Sequence, residues 1–125
     1  MQHIKRYYLI PAPPEEVYQA LVTEATIQLW SGEPATMSEE PGSEFSLWND
    51  SITGTNTAFE KGRKIVQEWD FGDIEEPSVV TIILHLHKSG TSAELRHTNI
   101  PDEIFDNISE GWDVNYFGSL IDFYS

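Results

Sequence analysis

The sequence contains no cysteine. That absence removes disulfides, thiolate nucleophiles and cysteine-based zinc sites from consideration. Basic residues are scarce as well: seven lysines and arginines face 21 aspartates and glutamates, for a formal charge of −14. A surface of that sign repels phosphate backbones and anionic headgroups, so neither nucleic-acid binding nor membrane association is expected. No apolar run approaches the length of a membrane-spanning helix, and no secretory leader is recognisable, so the chain reads as cytoplasmic. Repeats, low-complexity tracts and linkers are also missing, which points to a single domain over residues 1–125.

What is present suffices for a core. Hydrophobic residues make up 39% and aromatics 12% of the chain, and a domain of this size buries roughly two-thirds of its unfolded surface. "HIKRYYLI" is β-prone and stops at "PAPP", where proline suits a first helical turn. "EEVYQALV" spaces Val17, Ala20 and Leu21 as one helical face, and "EATIQLW" forms a second short helix ending near Ser31-Gly32. Three hairpins follow. "ATMSEE" and "SEFSLW" flank Pro41-Gly42, a type II turn pair, while Lys61-Gly62 and Ser89-Gly90 suit two-residue turns. In residues 102–124, Phe105, Ile108, Trp112, Tyr116, Leu120 and Phe123 recur at steps of three and four, the stripe of one long helix. The expected fold is therefore α+β: about seven strands in a curved antiparallel sheet, two short helices, and a long C-terminal helix over the sheet.

That order of elements resembles the helix-grip fold of START-type lipid-transfer domains, pollen-allergen-like proteins and polyketide cyclases (the SRPBCC superfamily). More narrowly, the chain resembles bacterial relatives of the activator of the heat-shock protein 90 ATPase. The resemblance is carried by "APPEEVYQALV" with Trp30, "PGSEFSLWNDSITGT", "GRKIVQEW", Ser78 in "SVVTIIL", "LRHTNIP" and "EGW". It departs at Ser31, where relatives often carry a second tryptophan. The resemblance implies the helix-grip fold and, as one functional alternative, a co-chaperone-type interaction module with a chaperone partner. Eukaryotic activators also have a separate N-terminal domain, for which this chain has no room.

Turn positions predict which side chains face inward. A two-residue turn at Ser89-Gly90 places Ile82 opposite His97, with Ile82, Leu84, Leu86, Ala93, Leu95 and His97 on the core face. The same arithmetic about Lys61-Gly62 pairs Ala58 with Ile65, Asn56 with Gln67, and Gly54 with Trp69. Asn56 and Gln67 are then inward polar groups, which either bond each other or line a space for water or a ligand. A bulge in either strand would reverse that assignment.

Other clusters carry less chemistry. His85 and His87 share the solvent face with Glu94, too few converging ligands for a metal centre. The carboxylates of "DFGDIEEP" (Asp70, Asp73, Glu75, Glu76) lack the spacing of a 12-residue calcium loop and read as a solvated connection. No Ser-His-Asp order, paired-carboxylate motif or phosphate-cradling glycine loop is visible, and no cofactor is implied. His97 is either a satisfied core histidine or the polar anchor of a cavity, and the four tryptophans carry the same ambiguity.

The first expectation is thus a non-catalytic domain that binds a small apolar or amphipathic ligand between the sheet and the C-terminal helix. Its candidate lining is Asn56, Gln67, Trp69, His97, Phe105, Ile108, Trp112 and Tyr116. The co-chaperone-type module is the alternative, and a cyclase- or hydrolase-like enzyme is a third reading.

Overall fold

The computed structural model describes residues 1–125. Strand β1 (Gln2–Ile10) leads into helices α1 (Pro14–Val22) and α2 (Glu24–Ser31). Strands β2 (Glu44–Leu47), β3 (Ile52–Glu60), β4 (Lys64–Trp69), β5 (Ser78–His87) and β6 (Gly90–Ile100) follow. All pairings are antiparallel, in the order β1-β6-β5-β4-β3-β2. A short 3-10 turn (Asp102–Ile104) opens the C-terminal helix, which runs through α3 (Phe105–Gly111), a π-helical turn (Trp112–Tyr116) and α4 (Phe117–Tyr124). The α+β architecture is the expected one, with six strands rather than seven.

The missing strand is the segment around "ATMSEE". Only Thr36 bridges to β2, at Ser46. Beyond it the Asn56 side chain replaces a ladder: its amide nitrogen donates to the Ser38 carbonyl at 3.2 Å and to Ser43 Oγ at 3.1 Å. The Pro41-Gly42 turn forms as expected, with the Ser43 N–H on the Glu40 carbonyl at 3.1 Å and Gly42 at φ 88°.

Both other hairpins differ from the expected register. The β3–β4 loop has three residues, so Phe59, not Ala58, faces Ile65. A bulge at Thr57 then restores the count, and Asn56 meets Gln67 while Gly54 meets Trp69. A Cβ on Gly54 would clash with the Glu68 carbonyl and come within 2.8 Å of the Phe45 ring, so that close approach needs glycine. In the β5–β6 hairpin the turn is Lys88-Ser89, and Val80 rather than Ile82 faces His97. The slip is an even number of residues, so every side chain keeps its face. Leu86 is the exception to burial at 83% exposed: it lies past the last β4–β5 pair, Lys64 with Ile83, and has no strand on that flank.

One core lies between the inner sheet face and the helices, built from residues such as Val80, Ile82 and Leu95 beneath Val17, Leu21, Phe117 and Leu120. The π turn, closed by the Phe117 N–H on the Trp112 carbonyl, inserts one residue into the helical stripe. Phe117 therefore points inward, and Phe123, expected on the buried face, is 44% exposed.

Candidate functional site

Strands β3, β4, β5 and β6 and the π turn bring polar and aromatic side chains together beneath the C-terminal helix. Gln67 donates to Asn56 Oδ1 at 2.9 Å and accepts the Trp69 indole N–H at 3.0 Å. The Trp69 ring stacks on Trp112 with centroids 4.8 Å apart. The Trp112 indole donates to His97 Nδ1 at 3.0 Å, and His97 Nε2 lies 2.8 Å from Ser78 Oγ. An indole N–H can only donate, so His97 Nδ1 carries no proton and the neutral ring holds its hydrogen on Nε2. Ser78 accepts that hydrogen and passes its own to the Thr98 carbonyl at 3.1 Å. Every link is directional, and burial holds the His97 ring down to about 3, far from its ordinary 6.5.

This network decides what His97 can do. Both ring nitrogens are engaged and the residue is wholly buried, so no atom of the ring can reach a proton on a bound molecule. Asn56 and Gln67 likewise bond each other and are buried.

The open space lies beside this network. A cleft of about 580 Å³ runs between the π turn and the segment joining β2 to β3. Of the eight residues expected from the sequence, Trp69, Ile108, Trp112 and Tyr116 line it. Asn56, Gln67 and His97 sit behind that wall, and Phe105 packs half-buried against the core. The cleft also takes Trp48, Asn49, Ser51 and Ile52 from the β2–β3 connection, Glu33 from the end of α2, and Asn107, Gly111 and Asn115 from the C-terminal helix. Of this second group the sequence singles out only Trp48, as one of the four tryptophans, although Asn107, Gly111 and Asn115 are spaced four apart beside Ile108, Trp112 and Tyr116. Two adjacent helical rows are visible in that pattern.

The Trp48 wall is conformationally unusual. Trp48, Asn49 and Asp50 have φ of 48°, 52° and 68°, three consecutive non-glycine residues in the left-handed region. Asn and Asp tolerate it and a bulky tryptophan does not, at a cost on the order of 1–3 kcal/mol. The turn is held by Asn49 N–H on the Pro34 carbonyl and by the Trp48 ring, packed 5.8 Å from Tyr116 and 6.2 Å from Trp30. On the opposite side, Arg6 donates to Asp113 Oδ1 at 3.0 Å and to the Ser109 carbonyl at 2.9 Å. Tyr8 donates to the same carboxylate oxygen at 2.6 Å. These contacts clasp β1 to the helix that floors the cleft. Elsewhere, His85 bonds Glu94 on the outer face at 2.9 Å, and no group of three His, Asp or Glu side chains converges.

Comparison with known proteins adds a family context. Residues 11–122 match the profile of the family described as Activator of Hsp90 ATPase homolog 1-like protein. An activator of 90 kDa heat shock protein ATPase homolog from Dictyostelium discoideum is 32% identical over 105 residues, covering 82% of this chain and 27% of that protein. The human homolog 1 is 28% identical over 109 residues, covering 86% and 32%. The chain thus spans a third or less of these relatives' length. Among solved structures, an HSP90 activator from Plasmodium falciparum superposes with a TM-score of 0.80 at 29% identity, over 95% of this chain and 91% of that one. The Aha1 dimer from Colwellia psychrerythraea gives 0.86 at 20% identity, over 99% and 96%, and supports the fold alone.

Proposed function

Because the chain belongs to the family of activator of Hsp90 ATPase homolog 1-like proteins, we propose that it acts as a co-chaperone-type interaction module on an ATPase of the Hsp90 class. The observation that carries this reading is the family match across residues 11–122, supported by relatives named as activators of that ATPase. The alternative drawn from resemblance is thereby favoured over the ligand-binding expectation. The engaged state of His97 fits a module that works by contact rather than by chemistry. The test is a pull-down with purified Hsp90-class chaperone, followed by ATPase turnover. Saturable binding with a severalfold rise in turnover is expected; unchanged turnover at saturating protein, with no complex, would refute the reading.

A second reading rests on the cleft of about 580 Å³, a size within the range of small-molecule sites. In it, Trp69, Ile108, Trp112 and Tyr116 would touch a small apolar or amphipathic ligand. Asn56, Gln67 and His97 would fix the tryptophan rings from behind, and Phe105 would support the helix. Native mass spectrometry of the protein as purified tests this; a mass equal to that of the bare chain, with no tryptophan fluorescence response across a ligand screen, would count against it.

A further inference from the structure

We propose that the cleft, with Glu33 in its lining and no base, is a docking face for a protein segment rich in lysine or arginine, whose apolar side chain enters beside Tyr116. The proposal rests on the interaction reading above and names the chemistry of the partner.

Charge is the first argument. Every lysine and arginine lies in β1, β4, β6 or the turns of the β3–β4 and β5–β6 hairpins. Only four of the 21 acids (Glu44, Glu60, Glu68, Glu94) lie in strands, and the other 17 occupy the helices and the connections outside those two turns, where there is no base. At the cleft, Glu33 is part of the lining, and the exposed Glu110 adjoins the lining residue Gly111 in the helix. No base lines it. Such a field draws in cationic partners and repels anionic ones.

The second argument is an unfinished hydrogen bond. Tyr116 is only 4% exposed, yet no protein group bonds its hydroxyl, and desolvation alone acts on it. Every fully enclosed side-chain polar atom in the protein does have a partner. The hydroxyl is therefore the part of Tyr116 that opens into the cleft it lines. A hydroxyl at the open tip of an otherwise buried ring is a group that an incoming carbonyl or amide can bond. The half-buried Trp48 on its strained turn supplies an aromatic face at the entrance, suited to an apolar side chain or to the stem and head of an arginine.

The probes are three acetylated, amidated peptides: RKLFKR, its acidic counterpart EDLFDE, and RKSSKR, which keeps the charge and lacks the anchor. Binding to the 125-residue protein is followed in two-dimensional nitrogen–proton spectra, with the Trp48 indole and the Asn107 and Asn115 amides as reporters. RKLFKR is expected to shift these signals and to bind at least about tenfold more tightly than either control. The exposed pair of changes Glu33→Gln and Glu110→Gln should weaken it about fivefold, and Tyr116→Phe should weaken it at 0.5 M salt as well, where charge is screened. Equal binding of EDLFDE, shifts confined to the outer sheet face around Tyr7 and Arg96, or parental affinity in all variants would each overturn the proposal. The chaperone assay separates the two readings. If the protein stimulates the ATPase and the Glu33/Glu110 variant does so equally well, the docking face is wrong and the interaction reading stands. If RKLFKR binds as described and no chaperone complex forms, the choice of partner is wrong and the docking face stands.

Discussion

The His97 ring sits between two fixed partners, and that geometry sets how the protein responds to acid. Its ordinary value of 6.5 describes the unfolded chain, and burial depresses it to about 3 in the fold. Above pH 6.5 both states hold it neutral and its contribution to stability is fully present. As pH falls from 6.5 toward 3, the unfolded chain takes up a proton that the native state refuses, so stability is lost with acidification. The expected loss between pH 6.5 and pH 5 is about 2 kcal/mol, read from urea midpoints at fixed ionic strength. Glu94 acts in a lower window: its bond from His85 holds it below its ordinary 4.5, so its contribution disappears only as pH drops beneath that value. A His97→Gln variant should start less stable and show a flatter slope between pH 6.5 and 5; an unchanged slope would mean that the ring is not the group responsible. Gln67 offers a pH-independent counterpart. Gln67→Leu strands the Trp69 indole N–H and Asn56 Oδ1 together, and each buried orphan costs about 1–3 kcal/mol. Denaturant unfolding should show a loss of about 2–4 kcal/mol.

At the scale of elements, the sequence revealed faces better than it revealed registers. Alternation along β5 and β6 placed Ile82, Leu84, Leu95 and His97 inside, and an even slip at the turn left those faces intact. The pairing of Asn56 with Gln67 was expected for an incomplete reason, since an extra loop residue and the Thr57 bulge cancel. Neither feature has a composition signal of its own: bulges are set by local hydrogen bonding, here with the Thr57 side-chain hydroxyl donating to the Val66 carbonyl at 3.0 Å. The π turn was hidden for the same reason. A stripe at steps of three and four describes an uninterrupted α-helix, and one inserted residue changes which aromatic is buried without changing the residue types. The strained Trp48 turn, which forms the cleft's far wall, was equally invisible beyond its Asn-Asp pair. Gly118 reports on the π turn directly. A Cβ there would lie 2.5 Å from the Asp113 carbonyl oxygen, so the usual stabilisation of a helix by Gly→Ala reverses. Gly118→Ala should destabilise the protein by about 1–3 kcal/mol and shift the Tyr116 signals. A stabilised variant would show that the helix can run through as a regular α-helix.

For the whole molecule, the dominant electrostatic term is self-repulsion. The formal charge of −14 is unevenly spread, because the strands and their turns hold every base while helices and connections hold 17 acids alone. The ion pairs that do form are few and mostly exposed, such as Arg63 with Glu60 at 2.6 Å and the N-terminus with Asp102 at 3.1 Å. Exposed pairs contribute little, whereas unpaired like charges repel over a Debye length of about 10 Å at 0.1 M salt. Two consequences compete when salt is added: screening weakens the ion pairs and relieves the crowding of carboxylates. The unpaired carboxylates far outnumber the pairs, so relief should win. The urea midpoint at pH 7 is therefore expected to rise monotonically as sodium chloride increases from 10 to about 200 mM. Magnesium chloride at equal ionic strength discriminates further. Diffuse screening predicts the same midpoint for both salts, while a larger rise with magnesium would indicate discrete cation binding among the carboxylates. A midpoint that falls with salt would mean that the Arg6–Asp113 clasp and its neighbours outweigh the repulsion. A cationic partner on the helix side would do locally what salt does globally, so the salt-induced gain in stability should shrink once RKLFKR occupies the cleft.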